Sequence, residues 1–298
     1  MSTTTSTQVA PSTRRPLRYY QIGSHLFITV MLLLSLIPTY LLITWSFKNG
    51  LQYRWERWAI SFPLRWRNYV AAWDIVGDYM INTIIVAIIG LMGMLLLSLI
   101  GGYVFARMDF PFRETLYYAI IALLMVPWVL SFIPAYMVYV RLGLLNTRLA
   151  MIIPELAGGP IFGIFLMRAF IAGIPEELFE SARCDGAGVL DLIGRITLPL
   201  SLPGLATLAV LNFIGVWNSF LWPLVMIQDD AKQMIAVGLY KLARSATYGG
   251  VAGWTSQDFS VWGPLYAGYV IASLPLVLLF IVLGKFYVEG LVDSGLKV

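Results

Sequence analysis

The sequence predicts an all-α integral membrane protein with six transmembrane helices. Three observations predict it. Of 298 residues, 59% are hydrophobic and only 12% charged, against roughly 25% charged in soluble domains. Six almost uncharged runs, each of 19 or more residues, are long enough to cross the ~30 Å hydrocarbon layer of a bilayer. Ten Trp and 16 Tyr suit a chain with many membrane–water boundaries.

Residues 1–18 begin Ser/Thr-rich and end on Arg14, Arg15 and Arg18; they read as a disordered tail. Residues 19–298 read as one transmembrane domain. Its first span, 19–47, is broken only by His25, read as interfacial. It is too long for a signal-peptide core and lacks a small-x-small cleavage site. The segment 48–78 mixes Lys48, Arg54, Arg57, Arg65 and Arg67 with four Trp, a composition that suits an aqueous loop against lipid headgroups. Span two is 79–106, followed by a short charged turn.

Span three, 116–140, contains Pro127 and Pro134. Internal prolines free backbone carbonyls that neighbours or water must satisfy, which can mean kinks around a pathway or mere packing irregularity. Span four, 149–167, carries Pro154, Glu155 and a Gly158-Gly159-Pro160 break. Gly159 and Gly163 make a GxxxG close-packing pattern. Glu155, six residues into the span, is read as facing the interface, with a place on a pathway as the other reading. Span five is 200–227, a polar loop fills 228–260, span six is 261–284, and a short tail ends the chain.

Six spans place both termini and the segment 174–199 on one side. Ten Lys/Arg fall on each side, so the positive-inside rule leaves the orientation open. The basic N-terminus leans towards an inside location.

The chemistry is mostly negative. One Cys (Cys184) and one His (His25) exclude an internal disulfide and a His/Cys metal cluster. His25 lies in the membrane-entry region far from Cys184, so no nucleophile–base constellation is assembled. No G-x-x-x-x-G-K-[ST] occurs; Gly284-Lys285 is the nearest approach. The expected catalytic, cofactor and metal residues are therefore none. A scattered net charge of +4 gives no nucleic-acid footprint. Few ionisable groups lie within the spans, so an ion-driven carboxylate relay is poorly supported. A pathway without an engine takes its energy from elsewhere, or needs none.

The segment 174–199, IPEELFESARCDGAGVLDLIGRITLP, is the densest charged stretch between apolar runs. Pro175 suits the first helical position, and Glu176 and Glu177 suit the first turn, where the helix dipole favours anions. Leu178, Phe179 and Ala182 are spaced to share a face, and Gly186 is a natural left-handed terminator. A second helix has a Leu190, Ile193, Ile196 stripe and an Asp191–Arg195 pair, and Pro199 ends the pattern. Glu180 and Asp185 sit where the dipole does not favour them. From pattern alone, a solvated amphipathic loop and a docking element for a soluble partner both remain open.

Glu180-Ser181-Ala182-Arg183-Cys184-Asp185-Gly186-Ala187, with Ile196-Thr197-Leu198-Pro199 after it, resembles the EAA loop of binding-protein-dependent ABC importer permeases. Ser181 replaces the first alanine of that pattern, a small-for-small change. YVFARMDFPFR (103–113), IPAYMVYVRLGLLNT (133–147) and WNSFLWPL (217–224) resemble the carbohydrate-importer, maltose-permease-like branch. The resemblance implies a multi-pass permease in the cell membrane with both termini cytoplasmic. It implies a second homologous permease subunit, two ATP-binding subunits that supply the ATP site, an extracytoplasmic solute-binding protein, and alternating access to a sugar. It also implies that Leu178, Phe179, Glu180, Ser181, Ala182, Asp185, Gly186, Ala187, Ile196, Leu198 and Pro199 couple to the ATPase, with Leu178, Phe179 and Ala182 packed in its groove. Asn212, Trp217, Asn218 and Phe220 offer hydrogen bonds and stacking faces to a sugar, with helix packing as the other reading. An ion-coupled or facilitative carrier for a small polar solute, and a membrane scaffold, remain the alternative functions.

Overall fold

The computed structural model describes residues 18–248 and 262–295. The expected disorder of the N-terminal tail lies outside the described residues but for Arg18. So do residues 249–260 of the polar loop and the first residue of span six, 261.

The longest element is α3 (Arg67–Arg107), 41 residues without a proline, or about 60 Å at 1.5 Å per residue. Around it stand α1 (Arg18–Ser46) and α2 (Gly50–Trp55), then α4 (Arg113–Ala122) and α5 (Trp128–Arg141). α6 (Leu149–Ala157), α7 (Gly159–Ala172) and α8 (Glu176–Cys184) follow. α9 (Val189–Asp191), a π-wound turn (Leu192–Thr197) and α10 (Leu198–Leu200) run on as one helical segment. α11 (Leu202–Trp217), α12 (Leu221–Met226), α13 (Ile235–Tyr248) and α14 (Trp262–Gly295) complete the described chain.

Four helical stretches are long and apolar enough to cross a membrane alone: Ile22–Ser46, Arg67–Arg107, Leu149–Ala172 and Trp262–Lys285. Two bent pairs raise the number to six if each is one span: Arg113–Met125 with Trp128–Arg141, bent by 96°, and Val189–Leu200 with Leu202–Trp217, bent by 75°. The first bend falls at Pro127, which cannot donate to the preceding turn.

The structure redraws several expected boundaries. The segment 48–78 is not all loop, because α3 begins at Arg67. Asn68, Ala72 and Val76 form a buried i, i+4, i+8 face there, while Asp74 and Asp78 stay exposed. Within 228–260 lies α13, which buries Ile235, Leu242 and Ala246 against α3 and α14. Span five is interrupted: α11 ends at Asn218 and the short α12 follows. In 174–199 the helix starts at Glu176 with Pro175 as its cap, and Pro199 lies inside the second helical segment instead of ending it.

The most intimate packing is α3 along α7. Gly159 and Gly163 lie directly against Met94 and Ser98; a methyl group at Gly163 would collide with Ser98. The GxxxG pattern therefore marks a true close approach. Two apolar clusters result. One joins the first half of α3 to α11, α13 and α14; the other joins its second half to α7 and reaches into the 174–199 loop.

Candidate functional site

Two features stand out: the 174–199 loop at one end of α3, and a cavity beside α3 within the membrane region.

The loop is a helix, a left-handed turn and a second helix. Asp185 caps α8, and Gly186 follows at φ +84°, a conformation open to glycine at no steric cost. The N–H of Ala187 donates to the carbonyl of Ala182 at 2.9 Å, and that of Gly186 to Arg183 at 3.0 Å. This pair of bonds is a Schellman motif. In the second helix Arg195 pairs with Asp191 at 3.2 Å. Thr197 Oγ1 donates to the Leu192 carbonyl at 3.0 Å, inside the π-wound turn.

Arg107, the last residue of α3, holds this loop from below. Its guanidinium is bonded to Glu176 and to the carbonyls of Ile174 and Ile171, the last at 2.7 Å. It also lies 4.5 Å from the centre of the Phe179 ring, a cation–π contact. Glu176 is shared with Arg183 at 3.0 Å. One helical turn away, Arg168 of α7 donates to Glu114 at 2.6 Å and covers Tyr117 at 3.9 Å.

Phe179 therefore corrects the sequence expectation. It is 0% exposed, buried against Tyr103 and Arg107, and faces its own chain. Ala182, Ala187 and Ile196 are half-buried beside the same cluster. The outer face instead carries Leu178, 46% exposed, and Leu190, 83% exposed. Glu180, Ser181, Asp185, Gly186, Leu198 and Pro199 are exposed as well. Among the described residues, Glu177, Glu180 and Asp185 make no ion pair, whereas Glu176 and Asp191 do. Arg107 was not singled out from sequence, and Leu190 was read only as part of an apolar stripe. The signal for Arg107 was its place as the first charge after a long uncharged run.

The cavity measures about 800 Å³, within the ~300–1,000 Å³ of ordinary ligand pockets. α5, α6 and the α11–α12 break wall it, with Trp128, Phe132, Trp222 and Phe220 on its surface. Glu155 lines it too, which favours the pathway reading of that carboxylate over the interfacial one. Asn212 Nδ2 donates to Glu155 Oε2 at 2.8 Å. Of the four candidate pathway residues, Phe220 reaches this cavity, and Asn212 lines a smaller one that also includes Glu155. Trp217 does not belong with them. It is 4% exposed, stacks on Phe213 and donates its indole N–H to the Ala272 carbonyl at 3.1 Å, so its work is helix packing. Asn218 caps its own helix by donating to the Ile214 carbonyl at 2.9 Å.

Residues 98–291, which contain the loop, match the family described as "Binding-protein-dependent transport system inner membrane component". The chain belongs to that family. It is similar to other binding-protein-dependent permeases across most of its length. It is 30% identical over 280 residues to the diacetylchitobiose uptake system permease protein of Streptomyces coelicolor, covering 93% of this chain and 89% of that one. It is 32% identical over 216 residues to the arabinooligosaccharides transport system permease protein of Halalkalibacterium halodurans, covering 72% of each. The family fold is seen in the crystal structure of a bacterial ABC transporter involved in the import of the acidic polysaccharide alginate. That structure superposes with a TM-score of 0.80 at 22% identity, covering 93% of this chain and 100% of the other.

Proposed function

We propose that this chain is a permease subunit of a sugar importer of the ABC type, which moves a mono- or oligosaccharide across the cell membrane by alternating access. It pairs with a second, homologous permease and receives its sugar from an extracytoplasmic binding protein. Two ATP-binding subunits hold and hydrolyse the nucleotide, and this chain itself catalyses nothing. Both termini and the 174–199 loop face the cytoplasm.

The observation that carries this reading is the division of labour within the loop. Phe179 and Glu176 are bound inward to Arg107, while Leu178, Leu190, Glu180 and Asp185 are left outside, apolar or anionic and without an ion pair among the described residues. Such a surface suits a basic groove with an apolar floor, and an ATPase that rotates on closing would drag α3 through Arg107. The two relatives named above are permeases of a diacetylchitobiose uptake system and an arabinooligosaccharides transport system, which supports the substrate class.

Co-purification with the products of neighbouring genes, followed by a sugar-stimulated ATPase assay, tests the assignment. Glu180→Lys should abolish ATPase association and uptake while membrane insertion stays normal. Wild-type association and uptake in that variant would sink the docking surface, and sugar flux through this chain alone in liposomes would favour the carrier alternative.

A further inference from the structure

Glu155 is the only charged residue on the wall of the large cavity among the described residues. A lone carboxylate among aromatic and aliphatic walls is costly, and residues of this kind in membrane segments are generally functional. Local structure gives it no reason to be there. Glu155 stands near the C-terminal end of α6, where the helix dipole disfavours an anion. No cation pairs with it among the described residues.

The surroundings are built to hold it. Gly90 of α3 lies beneath its side chain, where an added methyl carbon would come within 3.0 Å of the Glu155 Cβ. Asn212 fixes one carboxylate oxygen from α11. Among the described residues the Asn212 amide oxygen is buried without a hydrogen-bond partner, and Asn212 bonds to only one of the two Glu155 carboxylate oxygens. Glu155 thus offers an acceptor to the large cavity beside aromatic faces, with Asn212 behind it on the smaller cavity, an arrangement suited to hydroxyl or amide donors of a ring-shaped solute.

We propose that Glu155, oriented by Asn212, is the charge-selecting site of the pathway in this subunit: it admits uncharged, hydroxyl-rich solutes and repels anionic ones. The proposal rests on the importer reading above. The physics is Coulombic. The ionised carboxylate acts over several ångströms, because a cavity of low polarity screens it little, and neutral donors gain a hydrogen bond from it while a carboxylate or phosphate is repelled.

The test uses the assembled importer in a Cys184→Ser background carrying Ser219→Cys, a cavity-wall position. Cationic and anionic methanethiosulfonate reagents of matched size report the field directly. Relative to a free thiol, the cationic reagent should react about tenfold faster than the anionic one, and Glu155→Gln should bring the ratio back to that of the free thiol. An unchanged ratio in Glu155→Gln overturns the proposal. Ser131→Cys, also on the cavity wall, gives the same reading if Ser219→Cys does not assemble. Sugar-stimulated ATP hydrolysis is measured on the same preparations: its presence with an unchanged thiol ratio defeats charge selection alone, and its absence in the unmodified importer defeats the importer reading.

Discussion

The two ends of α3 are built on opposite plans. At the Arg67 end several buried side chains bond to the backbone around them. Lys48 is 2% exposed and donates to the carbonyls of Glu56, Arg57 and Ala59, and burial lowers its pKa. Asn68 donates to the carbonyls of Ser46 and Lys48 at 2.8 and 3.0 Å. Asn82 accepts from Arg148 and donates to Ala231, and Asn146 takes the N–H groups of Gln228 and Asp229. Rings of Trp45, Tyr53 and Tyr266 close the cluster. At the Arg107 end one guanidinium holds the loop, and three carboxylates remain unpaired among the described residues. The difference teaches that one end is tied down by several buried side chains bonded to the backbone around them, while the other hangs its loop on a single guanidinium.

Four substitutions break or sharpen this contrast. The largest effect is expected from Gly186→Pro. Proline holds φ near about −65°, against +84° here, and it lacks the N–H that closes the turn onto Arg183. ATPase subunits should no longer co-purify, although the protein still inserts. Next is Arg107→Met, which removes the donors to Glu176, Ile171 and Ile174. With charged hydrogen bonds worth about 1.5–3 kcal/mol each, sugar moved per ATP should fall about tenfold or more while hydrolysis continues. Lys48→Met should act at the other end only. Leaving its carbonyls unsatisfied costs about 1–3 kcal/mol, read as a lower unfolding temperature in detergent with an unchanged sugar-to-ATP ratio. Should Lys48→Met alter that ratio and Arg107→Met only stability, the contrast between the ends is wrong. Trp217→Phe is the mildest: it loses one hydrogen bond to Ala272, about 1 kcal/mol of stability, and transport of sugar is expected to be retained.

Much of this was legible in the sequence, for physical reasons. Long apolar runs report membrane spans because no other environment tolerates them. Gly186 announced its turn because a left-handed residue after an amphipathic helix selects glycine. What stayed hidden depended on distance and direction. Leu178 and Phe179 are adjacent and both apolar, and nothing local says that Phe179 is the one turned inward. Arg107 meets Glu176 across 69 positions of chain, a pairing that periodicity does not encode. Glu155 was read from its depth in the span, yet its neighbours are set by Asn212 on another helix. α13 escaped because Lys241 and Arg244 punctuate its polar side, masking the buried stripe of Ile235, Leu242 and Ala246.

The continuity of α3 has a mechanical meaning. It runs 41 residues without a proline or a break, about 60 Å, while α5, α6 and α14 carry internal prolines. A rod of that length is a lever: pivoting by about 5° near its middle swings each tip by about 2–3 Å in opposite directions. A push on the loop at Arg107 would then be felt, reversed in sign, at the well-knit Asn68 end on the far side of the membrane.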